Sequence, residues 1–168
     1  PAVISTDANG NTLLTPSAAV VDGNHVITFA LIDGAGNQSV TSPGLNVTID
    51  TTAPLAPTVA PDMTAATDAG SSNSDDLTSD STPSFAIPSL PTGATSAVLL
   101  VNGTVVATTL GTDANGNTIL TPTTPIPDGV QLISYALVDA AGNQSTASPT
   151  LSVTIDTTPP SQPPLPPD

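Results

Sequence analysis

The sequence predicts an all-β chain of tandem β-sandwich modules, and three observations predict it. Apolar residues alternate with polar ones over short stretches bounded by Gly, Pro, Asn and Asp, which is the strand signature. No stretch carries the 3.6-residue period of an amphipathic helix. The chain also repeats itself. Thr6-Asp7-Ala8-Asn9-Gly10-Asn11-Thr12 returns as Thr112-Asp113-Ala114-Asn115-Gly116-Asn117-Thr118, and Asp33-Gly34-Ala35-Gly36-Asn37-Gln38-Ser39 returns as Asp139-Ala140-Ala141-Gly142-Asn143-Gln144-Ser145.

The offset is 106 residues in each case, and it also relates Asp22-Gly23 to Asp128-Gly129 and Asp50 to Asp156. That period is the length of an immunoglobulin-like Greek-key sandwich, about 100 residues. Proline-rich joints set its phase. Val47-Thr48-Ile49-Asp50-Thr51-Thr52-Ala53-Pro54 and Val153-Thr154-Ile155-Asp156-Thr157-Thr158-Pro159-Pro160 each read as a strand, an aspartate and an extended joint. Residues 1–50 are then the later part of one module, 51–156 a complete module and 157–168 a trailing linker. The chain is expected to be a piece of a longer protein.

In the complete module a first strand is expected near 57–66, followed by a polar loop from Asp68 to Pro83. A second strand near 84–89 turns Phe85 and Ile87 to one face. A third near 97–102 enters the Asn102-Gly103 hairpin turn, and the strand after it spans 104–109. The Asp113–Asn117 turn leads into 118–121. The last two strands, 130–138 and 148–155, point Ile133, Tyr135, Leu137, Leu151, Val153 and Ile155 inward. With aromatics at 2%, the core must be built from valine, leucine, isoleucine and alanine and should be thin. Residues 1–50 repeat only the last three strands, so their apolar face and strand edges need cover, whether from a neighbouring molecule or from more of the same array.

All 14 acidic residues are aspartate, and lysine and arginine are absent, giving a net charge of −14. Without basic side chains the chain lacks the means to grip nucleic acid or an anionic membrane, and no segment is apolar and long enough to insert into a bilayer. Without cysteine it has neither disulfides nor thiolate metal sites. The self-repulsion of such a chain can be relieved by divalent cations, which hard oxygen ligands bind; an acidic surface in water with no ion is the other reading. No nucleophile has a partner to activate it, and no pair of differently tuned acids is evident, so no enzyme is expected. His25 aligns with Gln131 and is expected to face solvent.

Strand order brings the aspartates to two poles. Asp113, Asn115, Asn117, Asp139 and Asn143 lie at the pole where the chain arrives from Asp50. Asp113-x-Asn115-x-Asn117 has the spacing of a calcium loop, and it is also an ordinary Asn-Gly turn. Asp68, Asp75, Asp76 and Asp80 of the polar loop gather near the other pole with Asp128 and Asp156. There an ion, or a solvated loop, answers the repulsion.

Four segments carry a family resemblance: Asp75-Asp76-Leu77-Thr78-Ser79-Asp80-Ser81-Thr82-Pro83-Ser84-Phe85, Val101-Asn102-Gly103-Thr104, Asp139–Ser145 and Ile155–Pro160. They resemble bacterial Ig-like repeats of giant type I-secreted biofilm adhesins of the repeats-in-toxin class. The resemblance implies an extracellular, cell-surface extender stacked against neighbouring repeats of its own chain. It implies Ca2+ at linkers and loops, with Asp50, Asp139 and the polar-loop aspartates at the expected positions. Ligand binding by a loop pole, or edge-to-edge self-association, are the alternative roles. The chain departs from the family in lacking all lysine and arginine.

Overall fold

The structure, a computed structural model, describes residues 2–162 and 164. It divides into two compact units, Pro1–Thr52 and Ala53–Asp168. The linker expected at 157–168 lies partly outside the described residues; 157–162 carry no regular secondary structure.

The first unit holds two antiparallel hairpins. Strands β1 (Ala2–Thr6) and β2 (Thr12–Pro16) pair with each other, as do β3 (Gly23–Ile27) and β4 (Leu45–Ile49). Among the described residues of this unit, the large apolar side chains of Ile4, Leu14, Ile27 and Phe29 are all exposed.

The second unit is a two-sheet β-sandwich. Among the described residues its strands are β5 (Asp62–Met63), β6 (Leu77–Thr78), β7 (Phe85–Ile87), β8 (Ser96–Val101), β9 (Thr104–Val106), β10 (Thr108–Thr112), β11 (Thr118–Pro122), β12 (Gly129–Val138) and β13 (Leu151–Ile155). One sheet has the order β10-β11-β7-β5 and the other β6-β13-β12-β8-β9. Alternation along each strand delivers Phe85, Ile87, Leu99, Leu120, Ile133, Val153 and Ile155 to the interior, where all are 0–1% exposed. Asn102 and Gly103 both adopt positive φ, 51° and 79°, as the two-residue turn between β8 and β9 requires.

Several expectations need correction. The first strand shrinks to two residues, because Pro57 and Pro61 lie in its predicted span and cannot donate to a ladder. The strand expected at 104–109 is two strands. The chain leaves one sheet after Val106 and joins the other at Thr108. Leu151 is half-buried rather than interior. The polar loop is not structureless, since β6 within it pairs in parallel with β13 through Leu77↔Thr154 and Thr78↔Ile155. The first unit also includes a counterpart of β10, namely β1, beyond the three strands expected there. His25 does not simply face solvent. It is half-buried, and its Nε2 lies 2.7 Å from the Val21 carbonyl.

Candidate metal-binding loops

Four turns share one geometry, set by the pattern Asp-x-x-Gly-Asn. In the turn at Asp113, one carboxylate oxygen accepts the N–H groups of Asn115 and Asn117, both at 2.9 Å, and the other accepts Asn117 Nδ2 at 2.8 Å. Asp139 is held in the same way by Ala141, Asn143 and Asn143 Nδ2 at 2.9, 2.8 and 2.9 Å. Asp7 and Asp33 repeat the arrangement in the first unit. The fourth residue is glycine each time because φ there lies at 84–90°. The hydrogen bond from the asparagine side chain, helped by the backbone donors, lowers the carboxyl pKa of all four aspartates. The calcium-loop spacing at Asp113 is therefore occupied by N–H donors from its own turn.

The register places the Asp113 and Asp139 turns at one pole of the second unit. Thr118 lies opposite Ile87 and Val138 opposite Ser96, and residues 88–95 join those two partners across the sandwich. Asp50 belongs to the first unit, where its Oδ1 accepts the Thr52 N–H at 3.0 Å.

At the other pole each unit carries a second repeated device. The Thr157 hydroxyl donates to Asp128 Oδ1 at 2.9 Å, the Thr158 hydroxyl to Asp128 Oδ2 at 3.3 Å, and the Thr158 N–H to Asp156 Oδ1 at 3.0 Å. In the first unit, Thr51 and Thr52 donate to Asp22 and Asp50 in the same fashion. The Asp-Thr-Thr segment leaving each module is thus clamped to the turn before the penultimate strand.

The polar loop holds a buried carboxylate oxygen that has no hydrogen-bond partner. Asp68 is 3% exposed; its Oδ2 accepts the N–H groups of Asp75 at 3.0 Å and Asp76 at 3.3 Å, while its Oδ1 is buried with no hydrogen-bond partner. Asp62, Asp68, Asn73, Ser74 and Asp76 line one cavity of about 280 Å³. Burial, followed by the nearby charges of Asp68, Asp62 and Asp75, raises the Asp76 carboxyl above its ordinary pKa. Asp75 and Asp80 are engaged locally, accepting the N–H groups of Leu77 and Thr82 at 3.3 and 2.8 Å. Among the described residues, no three His, Cys, Asp or Glu side chains form a ready-made metal group. An ion here would have to draw on neutral oxygens and water as well. An orphaned, buried carboxylate oxygen beside two further carboxylates is nonetheless the donor chemistry a hard cation takes.

Sequence reasoning missed Asp62. It falls inside the longer first strand expected near 57–66, outside the polar loop. The usable signal was its charge inside an otherwise neutral strand stretch.

Comparison with known proteins adds a family model described as a bacterial Ig-like domain, which matches residues 2–51 and again 54–157. No curated protein matches the chain. A solved structure of SGBP-B from the Bacteroides ovatus mixed-linkage glucan utilization locus, in complex with a mixed-linkage heptasaccharide, aligns with a TM-score of 0.32 at 16% identity. The alignment covers 93% of this chain and 36% of that one.

Proposed function

Because the chain belongs to the bacterial Ig-like domain family, we propose that it is a non-catalytic spacer of an extracellular bacterial surface adhesin, serving cell adhesion and biofilm formation. Its modules stack in series, and Ca2+ at their joints and loops stiffens the array. The observation that carries this reading is the repeated exit clamp. Asp22 with Thr51 and Thr52, and Asp128 with Thr157 and Thr158, fix the direction in which the chain leaves each module. A device that controls exit direction at every repeat suits a part whose role is to set distance and direction.

The near-identity of the turns in the two units also favours a spacer over a module that binds a ligand through loops of its own. Calcium would supply the positive charge that a chain without lysine or arginine cannot supply for itself. In the polar loop, Asp68 and Asp76 are the residues best placed to hold it.

Small-angle scattering from a tandem array of these modules tests the reading. An array that contracts and becomes more compliant when calcium is chelated supports it. Dimensions that are the same with and without chelator would count against it.

A further inference from the structure

The sheet edges of the second unit are guarded unequally. Among the described residues, β5 and β6 have two residues each, with Asp62 on the first and Asp75, Asp76 and Asp80 around the second, and β9 has three. β10 runs for five, Thr108-Thr109-Leu110-Gly111-Thr112, with neither a charge nor a proline. An edge strand invites pairing with another chain, and charge, proline or shortness is what ordinarily prevents it.

The ladder fixes which groups β10 leaves free. The Asp113 N–H donates to the Asn117 carbonyl at 3.1 Å, and the Thr123 N–H to the Ala107 carbonyl at 2.9 Å. Bonded and unbonded pairs alternate along an antiparallel ladder, so Thr109↔Thr121 and Gly111↔Ile119 are the bonded pairs between them. The backbone groups of Thr108, Leu110 and Thr112 therefore point away from β11, toward the open edge. Leu110 adds an apolar contact. It lies opposite Leu120, which is 0% exposed, so its side chain is on the core face of the sheet. It is nonetheless 48% exposed, because β10 ends the sheet there. Ile4 holds the same place on β1, opposite Leu14.

We infer that β10 is a docking edge for β10 of a second copy, the two strands running antiparallel about a two-fold axis at Leu110. In that register Leu110 exchanges two backbone hydrogen bonds with its own counterpart, and Thr108 pairs with Thr112 on either side. An axis normal to the sheet keeps both leucines on the core face, where each covers the other. Two four-stranded sheets become one continuous sheet.

The charge distribution permits this approach. A chain of net charge −14 repels its copy, and the edge itself carries none of that charge. Each Asp113 comes opposite Ala107 of the second copy, six residues along the strand from the other Asp113. That spacing is about 20 Å, well beyond the screening length of about 8 Å at physiological salt. The contact depends neither on calcium nor on the spacer reading. It would join modules side by side.

The test is sedimentation equilibrium of the full chain in chelator, over rising protein concentration at low and high NaCl. Wild type should form a reversible dimer that tightens with salt. Leu110→Lys should weaken it at least tenfold, although this change lowers the net charge and so reduces repulsion between whole chains. Thr108→Pro removes an edge N–H without breaking a bond to β11 and should do the same. Ile4→Lys should leave the dimer in place. The chain has no cysteine of its own, so Leu110→Cys supplies a direct readout. Facing residues of a bonded pair lie about 5.5 Å apart at Cα, within disulfide range. Mild oxidation should cross-link this variant at least tenfold faster than Val130→Cys, at a position 65% exposed. A wild type that stays monomeric in high salt would overturn the proposal. So would a dimer equally tight in Leu110→Lys and Thr108→Pro, or equal cross-linking of the two cysteine variants. Association lost in Ile4→Lys but kept in Leu110→Lys would place the contact on the first unit and refute it as well.

Discussion

His25 Nε2 meets the Val21 carbonyl at 2.7 Å, and Gln131 Nε2 donates to the Pro127 carbonyl at 2.9 Å; the two residues occupy the same place in successive repeats. An imidazole N–H and an amide N–H here do one job, which is to tie the start of a strand to the turn before it. Replacing His25 with glutamine should leave stability within about 0.5 kcal/mol, as for a surface change that preserves its hydrogen bond. Gln131 carries more, because its Oε1 also accepts Asn102 Nδ2 at 2.7 Å and the residue is 6% exposed. Gln131→Leu, which removes both hydrogen bonds, should cost about 1–3 kcal/mol, measurable by urea denaturation.

Matched core positions should separate the two units. Leu120 is 0% exposed, whereas its repeat counterpart Leu14 is 44% exposed. Leu120→Ala should destabilise the second unit by about 2–5 kcal/mol through lost burial and the cavity left behind. Leu14→Ala in this chain should cost well under half as much. Equal losses at the two sites, read from thermal melts, would mean that the first unit's face is covered in solution.

The strands that were legible in the sequence are those with enough length to show alternation. β8, β11, β12 and β13 fall within two or three residues of their expected spans, because each is long enough for alternating apolar residues to show in the sequence, even though the middle of β12 is buried on both faces. β5 and β6 were not legible, since two residues cannot display a period and β6 sits in a stretch rich in Ser and Asp. What makes β6 a strand is the edge of β13, a long-range partner that local sequence does not reveal. The site follows the same logic. Asp68 and Asp76 were visible as loop carboxylates, but only the fold shows that Asp62 joins them and that Asp113 is occupied by its own turn. His25 read as solvent-facing because a lone imidazole on a strand gives no hint of a carbonyl four residues back.

The Asp-x-x-Gly-Asn turns give the protein an acid limit. Asp113 and Asp139 have folded-state pKa values below the ordinary 3.8, principally through their asparagine partners. The unfolded chain therefore takes up protons first as pH falls, and the stability these groups contribute is present above the unfolded value and lost on going down through the folded one. Stability should be flat near neutrality and fall below about pH 4. Asp139→Asn, which sets an amide donor against Asn143 Nδ2, should lower the melting temperature at pH 7 and lower it much less at pH 3. Asp76 works in the opposite sense. Its raised pKa means that folding favours the protonated form, so its own contribution improves as pH falls, while any cation held there must compete with that proton.

The exit clamp can be tested apart from any ion. Asp128 accepts both threonine hydroxyls of the departing segment, with the Thr157 N–H adding a longer contact at 3.3 Å. Asp128→Ala removes these acceptors without touching β13, whose register with β12 runs from Gly129↔Ile155 to Ile133↔Leu151. The sandwich should therefore melt within about 1 kcal/mol of wild type, while the amide of Thr157 exchanges faster and backbone relaxation after Ile155 shows increased motion. Asp128→Asn keeps one acceptor oxygen and should fall between the two. If relaxation beyond Ile155 is the same in all three proteins, the threonines do not hold the exit direction and the clamp is a by-product of turn geometry.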